Sequence, residues 1–600
     1  MKFRGNMETD NKIQAHPYAL LAAATVFVWL VTGCSVRSVS AISAGLLAGC
    51  LGAVLGFYLA YVLKASLKLK ILSAASGIVL AFIFGFTAHM LTDGAEPLGM
   101  FGPNARFLNL LLIGGLLITA AAFAALKFLK KAGESEAVFL IFVLAFWLRI
   151  IYVLYMPVTH AYQHDMGFFD DEFYKTHDTY IIYFLNNWKL IDQDIRDLGQ
   201  FYHPPLHYFL AALTVKINSL IFPSQSPNYD VIKALTLFCS SASNIVLIRI
   251  FKYFKLKGPG LVMAAVLSLF LPEFIILSAS VNNDSVSVFF AFLAVLAALQ
   301  WYRSAGLKHI ILTAVSIGLS MMSKLSGGMI AVPIAFIFLV KLIENARPGS
   351  SRKVISLPRL FGQFGLFAAV VFPLGLWFPV RNLIKWGVPI NYVNYFEVSE
   401  VQDLSAYSAA ERIILPAKGF SADVPFLLFN KEDKDYQIWQ ALLKTTLFDE
   451  KMFQKDPGLM LTGSVMLLLL KILVAVSAAG LIFFAFKAIK SGKYRYEALF
   501  MLVLTVTEMV SYALFCLKYQ AICTMNIRYV VPLIIPFVLG AGYAVSALYD
   551  RRKEAGTKGL LAKISFYAVC SAVILFALLT TVFYGSYWSY YVATGAGLLD

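Results

Sequence analysis

The sequence predicts an all-α polytopic membrane protein, and three observations predict it. Of its 600 residues, 60% are hydrophobic and 14% are charged, against about 25% charged in soluble domains. Mean hydropathy is +0.74. The apolar residues form long unbroken segments rather than a period-two alternation, which argues against a β-barrel and leaves helices as the spanning element. The same composition excludes a soluble globular chain, a disordered chain and a nucleic-acid binder with a charged surface. The formal net charge of +16 is read as Lys/Arg-rich loops on the cytoplasmic side.

A crossing needs about 20 apolar residues. Such segments occur at 17–34, 41–63, 71–91, 107–127 and 136–157, then at 204–222, 232–253, 259–280, 284–302, 308–323, 326–343 and 359–380. After a long polar interval come 459–488, 496–517, 526–548 and 561–583. At the start, Met1–Ala15 is polar and basic, Pro17–Val31 is apolar, and Val31-Thr32-Gly33-Cys34 has the look of a lipoprotein cleavage box. A second apolar segment follows at once, so the first is expected to be a span and not a cleaved signal.

Basic clusters at Lys64–Lys70, Lys127–Lys131, Lys252–Lys257, Arg303–Lys308, Lys341–Lys353, Lys487–Arg495 and Arg551–Lys563 are expected on the cytoplasmic side. If 136–157 leaves the chain outside and 254 is inside, two crossings between them break the parity. Segment 204–222 is therefore expected to lie at the interface, which suits Lys216 and Asn218 in its middle. The reading leaves 15 spans, with the N-terminus cytoplasmic and the C-terminus outside. It divides the chain into four extra N-terminal helices (1–131), a main membrane module (136–583) and an extracytoplasmic tail (584–600) that begins with the aromatic run YGSYWSYY.

The six cysteines (34, 50, 239, 516, 523 and 570) include no CxxC, so neither a zinc site nor a disulfide framework is indicated. Cys516 and Cys523 flank a short loop and are the pair placed to bridge if that loop is outside.

Two long loops fall outside, at about 158–203 and 381–458, and long loops in compact proteins are usually functional. The first carries Asp165, Asp170, Asp171 and Glu172 within eight residues, and His160, His164, His177, His203 and His207 lie in or just after it. In a chain this poor in charge, such carboxylates point to a general base for an acceptor hydroxyl or to ligands for a divalent cation such as Mg or Mn. The bland alternative is a solvated loop whose acids start a helix over Phe173–Leu190. His164 and His177 are weaker candidates. Tyr202-His203-Pro204-Pro205-Leu206 is more specific, because the double proline fixes a rigid lead into the next helix and holds His203 at the membrane surface.

Three later segments carry the same signal. Asn282-Asn283-Asp284 begins a span on the outer side, where the bland reading is an N-cap pair. Lys324, in Ser323-Lys324-Leu325-Ser326-Gly327, lies between two apolar spans, where a lone cation is costly; snorkelling is its bland reading. Arg528, in Arg528-Tyr529-Val530-Val531-Pro532, is placed to start a span from outside and meet a phosphate, or to act as an interface anchor.

In these motifs the sequence resembles the GT-C glycosyltransferases, in particular the bacterial protein O-mannosyltransferase-like and lipid A aminoarabinose transferase families. Asp171-Glu172-Phe173-Tyr174, or alternatively His164-Asp165, matches their acidic motif after the first core span. His203–Leu206 matches their H/K-P-P-L turn, Asn283-Asp284 their N-D pair, Lys324 their T/S-K-x-x-G and Arg528 their R-Y-x-x-P. Trp377–Arg381 and Ala441–Glu450 are also similar to segments of this group. The likeness covers roughly 136–583. Four extra spans precede it, and the expanded acidic motif leaves the catalytic carboxylate open between Asp165 and Asp171/Glu172.

The resemblance implies a membrane glycosyltransferase whose donor is a sugar on a polyprenyl phosphate. It implies His203, Lys324 and Arg528 at the donor phosphate and Asp165, Asp171 and Glu172 as catalytic carboxylates. Asp170, His164, Tyr174, Asn283 and Asp284 stand as further site residues, and any metal is expected on Asp165, Asp171 and Glu172. The acceptor is a glycan, lipid or protein, met on the extracytoplasmic face. No nucleic-acid partner is expected, and no Gly-rich loop for a nucleotide sugar is present. The rival readings are a transporter or lipid flippase, and a glycan ligase using a lipid diphosphate.

Overall fold

The computed structural model describes residues 105–130, 133–156, 176–221, 227–347, 355–394, 398–416, 424–430, 433–450, 457–554 and 559–594, with a few isolated positions besides. The expected spans at 17–34, 41–63 and 71–91 lie outside the described residues. So does most of the acidic loop, 159–175, with His160, His164, Asp165, Asp170, Asp171, Glu172 and Tyr174.

The described chain is all helix and turn, apart from two isolated bridges. In order the helices are α1 (Ala105–Phe128), α2 (Glu134–Tyr155), α3 (His177–Asn187), α4 (Leu206–Ile221), α5 (Ile232–Tyr253), α6 (Gly258–Leu269), α7 (Pro272–Ala279), α8 (Asp284–Ser304) and α9 (Leu307–Ser323). They continue with α10 (Ala331–Ala346), α11 (Leu357–Trp386), α12 (Ala409–Ile413), α13 (Ile438–Phe448), α14 (Pro457–Ser491), α15 (Arg495–Lys518), α16 (Ile534–Glu554) and α17 (Leu560–Thr594). Among the described residues nine helices are long and apolar enough to cross a membrane, or ten with α6 and α7 taken as one bent span. This is a multi-pass membrane protein.

Several expected spans change shape. Segment 259–280 is broken by 41° between α6 and α7, where Pro272 removes a backbone donor. Segment 308–323 becomes α9 with 17 residues, about 25 Å of helix and short of a ~30 Å hydrocarbon core. It stops because Lys324 turns extended (φ −148°, ψ 122°) to reach a partner on α8. Segment 526–548 does not begin as a helix: 522–533 runs through three short 3-10 turns before α16. The expected helix over Phe173–Leu190 is α3, His177–Asn187. The last helix continues to Thr594, through the run expected as a tail.

Small residues let helices approach closely. A Cβ on Gly480 of α14 would lie 2.0 Å from the Gly540 carbonyl of α16, and one on Gly260 of α6 would lie 2.6 Å from the Gly542 carbonyl. Arg149 of α2 is fully buried and donates to the Leu269 carbonyl (2.8 Å) and the Phe274 carbonyl (3.3 Å). It thus serves carbonyls on both sides of the α6–α7 break. The 16-residue α4 packs on α3, α5 and α9 and leaves Phe209, Ile217, Leu220 and Ile221 exposed.

Candidate functional site

The site is built where helices end. Asn282 turns the chain into α8 by accepting the Asp284 amide on its side-chain oxygen (3.1 Å). Asn283 Nδ2 donates to the Ser323 carbonyl at the end of α9 (3.0 Å). Asn283 therefore does not cap its own helix; it ties α8 to α9. Lys324, one residue on, donates to Asp284 Oδ1 in a buried ion pair. The other face of the ammonium lies 4.6 Å from the Tyr529 ring centroid. A lysine costly in hydrocarbon is thus neutralised by a carboxylate and faced by an aromatic quadrupole.

Tyr529 belongs to the 3-10 turn Ile527–Tyr529. Arg528 sits 4.9 Å from its ring centroid and donates to its hydroxyl (3.0 Å). The turn is positioned by Asn526, which accepts the Arg528 amide (3.1 Å) and donates to Asp449 (2.7 Å) and Glu450 (3.2 Å). Asp449 holds a left-handed backbone (φ 58°) that side chains disfavour. The Ala441–Glu450 segment therefore has a visible role: its last two residues and Thr445, which accepts the Ile527 amide (3.1 Å), anchor the Arg-Tyr turn.

His203 arrives from the other side. Pro204-Pro205 lead straight into α4, whose Phe209 amide bonds the Pro205 carbonyl (2.9 Å). The His203 ring packs 4.1 Å from Tyr202 and 5.7 Å from His177. His177 in turn bonds the Tyr208 hydroxyl (2.6 Å), and Tyr180 stacks on Tyr208 and on Phe201. Burial, then His177 and Lys324, hold the His203 imidazole well below its usual range, so it is neutral at pH 7. Burial also raises the Tyr202 and Tyr529 phenols, which stay protonated.

These side chains share one cavity of about 540 Å³, walled by Tyr202, His203, Lys324, Asn382, Tyr392, Tyr519 and Tyr529 among others. Of the sequence-predicted residues, His203 and Lys324 line it directly. Asp284 and Arg528 bond to its wall, through Lys324 and Tyr529, and Asn283 bonds Ser323, the residue before Lys324. The acidic loop itself lies outside the described residues, but both flanks are fixed: the Val158 amide bonds Asp230 (3.0 Å), and Thr176 caps α3 one residue before His177. Sequence reasoning missed Tyr392, Tyr519 and Asn382, and it quoted Tyr202 and Ala441–Glu450 within motifs without giving a role to Tyr202 or to the Asp449–Glu450 anchor. A tyrosine in an aromatic-rich chain gives no signal on its own.

The other quoted segment, Trp377–Arg381, lies in the C-terminal part of α11, against the 158–203 loop. Arg381 donates to the Ile191 carbonyl (2.7 Å) and pairs with Asp192 (3.6 Å). Cys516 and Cys523 do not bridge: both are free thiols, and Cys516 Sγ bonds the Thr524 carbonyl (3.3 Å). Among the described residues no three His, Cys, Asp or Glu side chains converge as metal ligands.

The described chain is a multi-pass bundle with buried polar side chains gathered around a cavity at helix ends. Residues 202–377, a stretch that contains His203, Asn283, Asp284 and Lys324, match the family model for dolichyl-phosphate-mannose-protein mannosyltransferases, and that match supports a membrane glycosyltransferase of the GT-C type. A search of curated proteins found no match.

Proposed function

We propose that this protein moves a sugar from a polyprenyl-phosphate donor to an acceptor hydroxyl at the extracytoplasmic face. The observation that carries the reading is the shared wall of His203, Lys324 and Tyr529, with Arg528 bonded to Tyr529. In it Arg528 supplies positive charge to the donor phosphate. Lys324 supplies a second, shared with Asp284, and His203 contributes a neutral N–H donor. Tyr202, Tyr392, Tyr519 and Asn382 offer aromatic faces and an amide of the kind that hold a sugar ring. Asp165, or the Asp171/Glu172 pair, takes the acceptor proton as the acceptor oxygen attacks the anomeric carbon. The sugar–phosphate bond breaks and the polyprenyl phosphate leaves with its electron pair. Asp170, His164 and Tyr174 are the further site candidates that the reading keeps on the same loop. Mg or Mn, if required, would sit on Asp165, Asp171 and Glu172.

The test is transfer of radiolabelled sugar from polyprenyl-phosphate donors in membranes, with and without a chelator. Arg528→Gln is expected to lower transfer by roughly 10²-fold, and loss in one of Asp165→Asn, Asp171→Asn and Glu172→Gln identifies the base. His203→Gln slows transfer but keeps the shape of the pH profile between about pH 6 and 8, because the imidazole is already neutral there. Full transfer in all of these variants sinks the site assignment. A wild type that moves intact lipid across vesicles and transfers no sugar supports the flippase reading.

A further inference from the structure

A second large cavity lies at the opposite end of the bundle. Ser511 and Lys518, near the C-terminal end of α15, line the candidate site, while Lys493 and Tyr494, just before its first turn, line this second cavity. The 24 residues of α15 separate the two by about 36 Å. Neither the family match nor the reading of the first cavity assigns a role here.

The cavity holds about 640 Å³ where the α5–α6 turn, the end of α14, the α14–α15 turn and the last turns of α16 converge. Its wall carries Lys255, Lys257, Lys487, Lys493 and Arg551, against Asp550 and Glu554: five positive less two negative leaves a net +3. Among the described residues none of the five cations is paired with a carboxylate. Loop lysines alone are a sidedness signal. Enclosure around a concavity is the additional observation.

The walls are also built. Both turns pass through left-handed residues, at Lys255 (φ 58°) and Gly258 (φ 57°), and at Gly492 (φ 69°) and Tyr494 (φ 60°). Tyr494 is fixed by Arg303, whose guanidinium lies 4.3 Å from its ring centroid. The floor is apolar, with Phe484 stacked on Tyr543 at 4.1 Å. On the same stretch of α14, Ile482, Phe486 and Ile489 are 45–66% exposed, a face fit for acyl chains.

We propose that this cavity binds the phosphate of an anionic phospholipid from the surrounding leaflet. The unpaired cations meet the phosphate, and the apolar floor and the α14 face meet the glycerol and acyl chains. Basic pockets between membrane helices suit such headgroups. A soluble phosphate ester shares the headgroup chemistry but leaves the apolar floor unused.

The test uses the full chain in nanodiscs of phosphatidylglycerol and phosphatidylcholine, with retained lipid counted by native mass spectrometry. Wild type is expected to retain phosphatidylglycerol in roughly ten-fold excess. That preference is lost in the variant Lys255→Gln/Lys257→Gln/Lys487→Gln/Lys493→Gln/Arg551→Gln. It is also lost in Ala547→Phe, which fills the cavity without altering charge, and it is kept in the control Lys127→Gln/Lys308→Gln. A parallel titration uses glycerol phosphate. Binding of glycerol phosphate that the cavity variants abolish, with lipid retention unchanged, assigns the phosphate site to a soluble ester instead. Lipid and ester binding both unaffected in the two cavity variants, or equal loss in the control, overturns the site.

Discussion

Lys324 is buried against Asp284, so its energetics rest largely on that partner. Removing either partner leaves the other buried and uncompensated, at a cost of about 3–5 kcal/mol, whereas replacing both with neutral groups of similar volume is far milder. Lys324→Met and Asp284→Asn are each expected to lower the thermal unfolding midpoint in detergent markedly. The double variant should recover most of that loss while remaining poor in sugar transfer. Full recovery of transfer would show that the pair only holds α8 against α9. Asn283 lies on the structural side of the same division, since its amide is committed to the Ser323 carbonyl.

At the scale of elements, the bent pair α6–α7 shows how a break inside the bundle is tolerated. Pro272 and the turn at Phe270–Leu271 free backbone carbonyls, and in lipid each must find a donor. Arg149 supplies it from α2, with bonds to the Leu269 and Phe274 carbonyls. Arg149→Leu keeps the apolar bulk and removes the donor to the Leu269 carbonyl, a loss of about 1–3 kcal/mol, while the Phe274 carbonyl keeps its bond from Ser240 Oγ (2.5 Å). It should therefore cost several degrees in the unfolding midpoint measured by light scattering of detergent-purified protein. An unchanged midpoint would mean that the Leu269 carbonyl finds another donor. A similar dependence on close fit holds at the α14–α16 crossing, where Gly480 leaves no room for a Cβ.

Across the whole molecule, the end of the long segment 381–458 is what holds the Arg-Tyr turn in place. Asn526 links Asp449 and Glu450 to Arg528 over 76–79 residues of chain separation, through its side-chain amide on one hand and its side-chain oxygen on the other. Asn526→Leu removes both ends of that link. It is expected to reduce transfer by about as much as Arg528→Gln while leaving the second cavity's lipid preference intact, as read by the same mass spectrometry. Loss of lipid preference as well would indicate a global loss of fold.

What the sequence determined by itself was the class of fold and the order of the motifs. Twenty-residue apolar runs can satisfy their backbone in lipid only as helices, so multi-pass helical architecture follows from composition. The Pro-Pro turn, the Asn-Asp pair, the isolated Lys324 and the Arg-Tyr step stood out because each is unusual beside an apolar span. Tertiary structure alone decided which of them meet. Lys324 is an ion-pair partner of Asp284, which spacing over 40 residues cannot reveal. His203 is neutral, because neighbours brought from His177 and Lys324 join its burial. The tyrosines of the cavity and the carboxylates behind Asn526 carry no local signature, since their meaning depends on contacts between helices far apart in the chain. The early end of α9 is a tertiary decision too, because a buried polar partner for Lys324 outweighs the small gain of continuing a helix, whereas the break at Phe270–Leu271 has its local cause in Pro272.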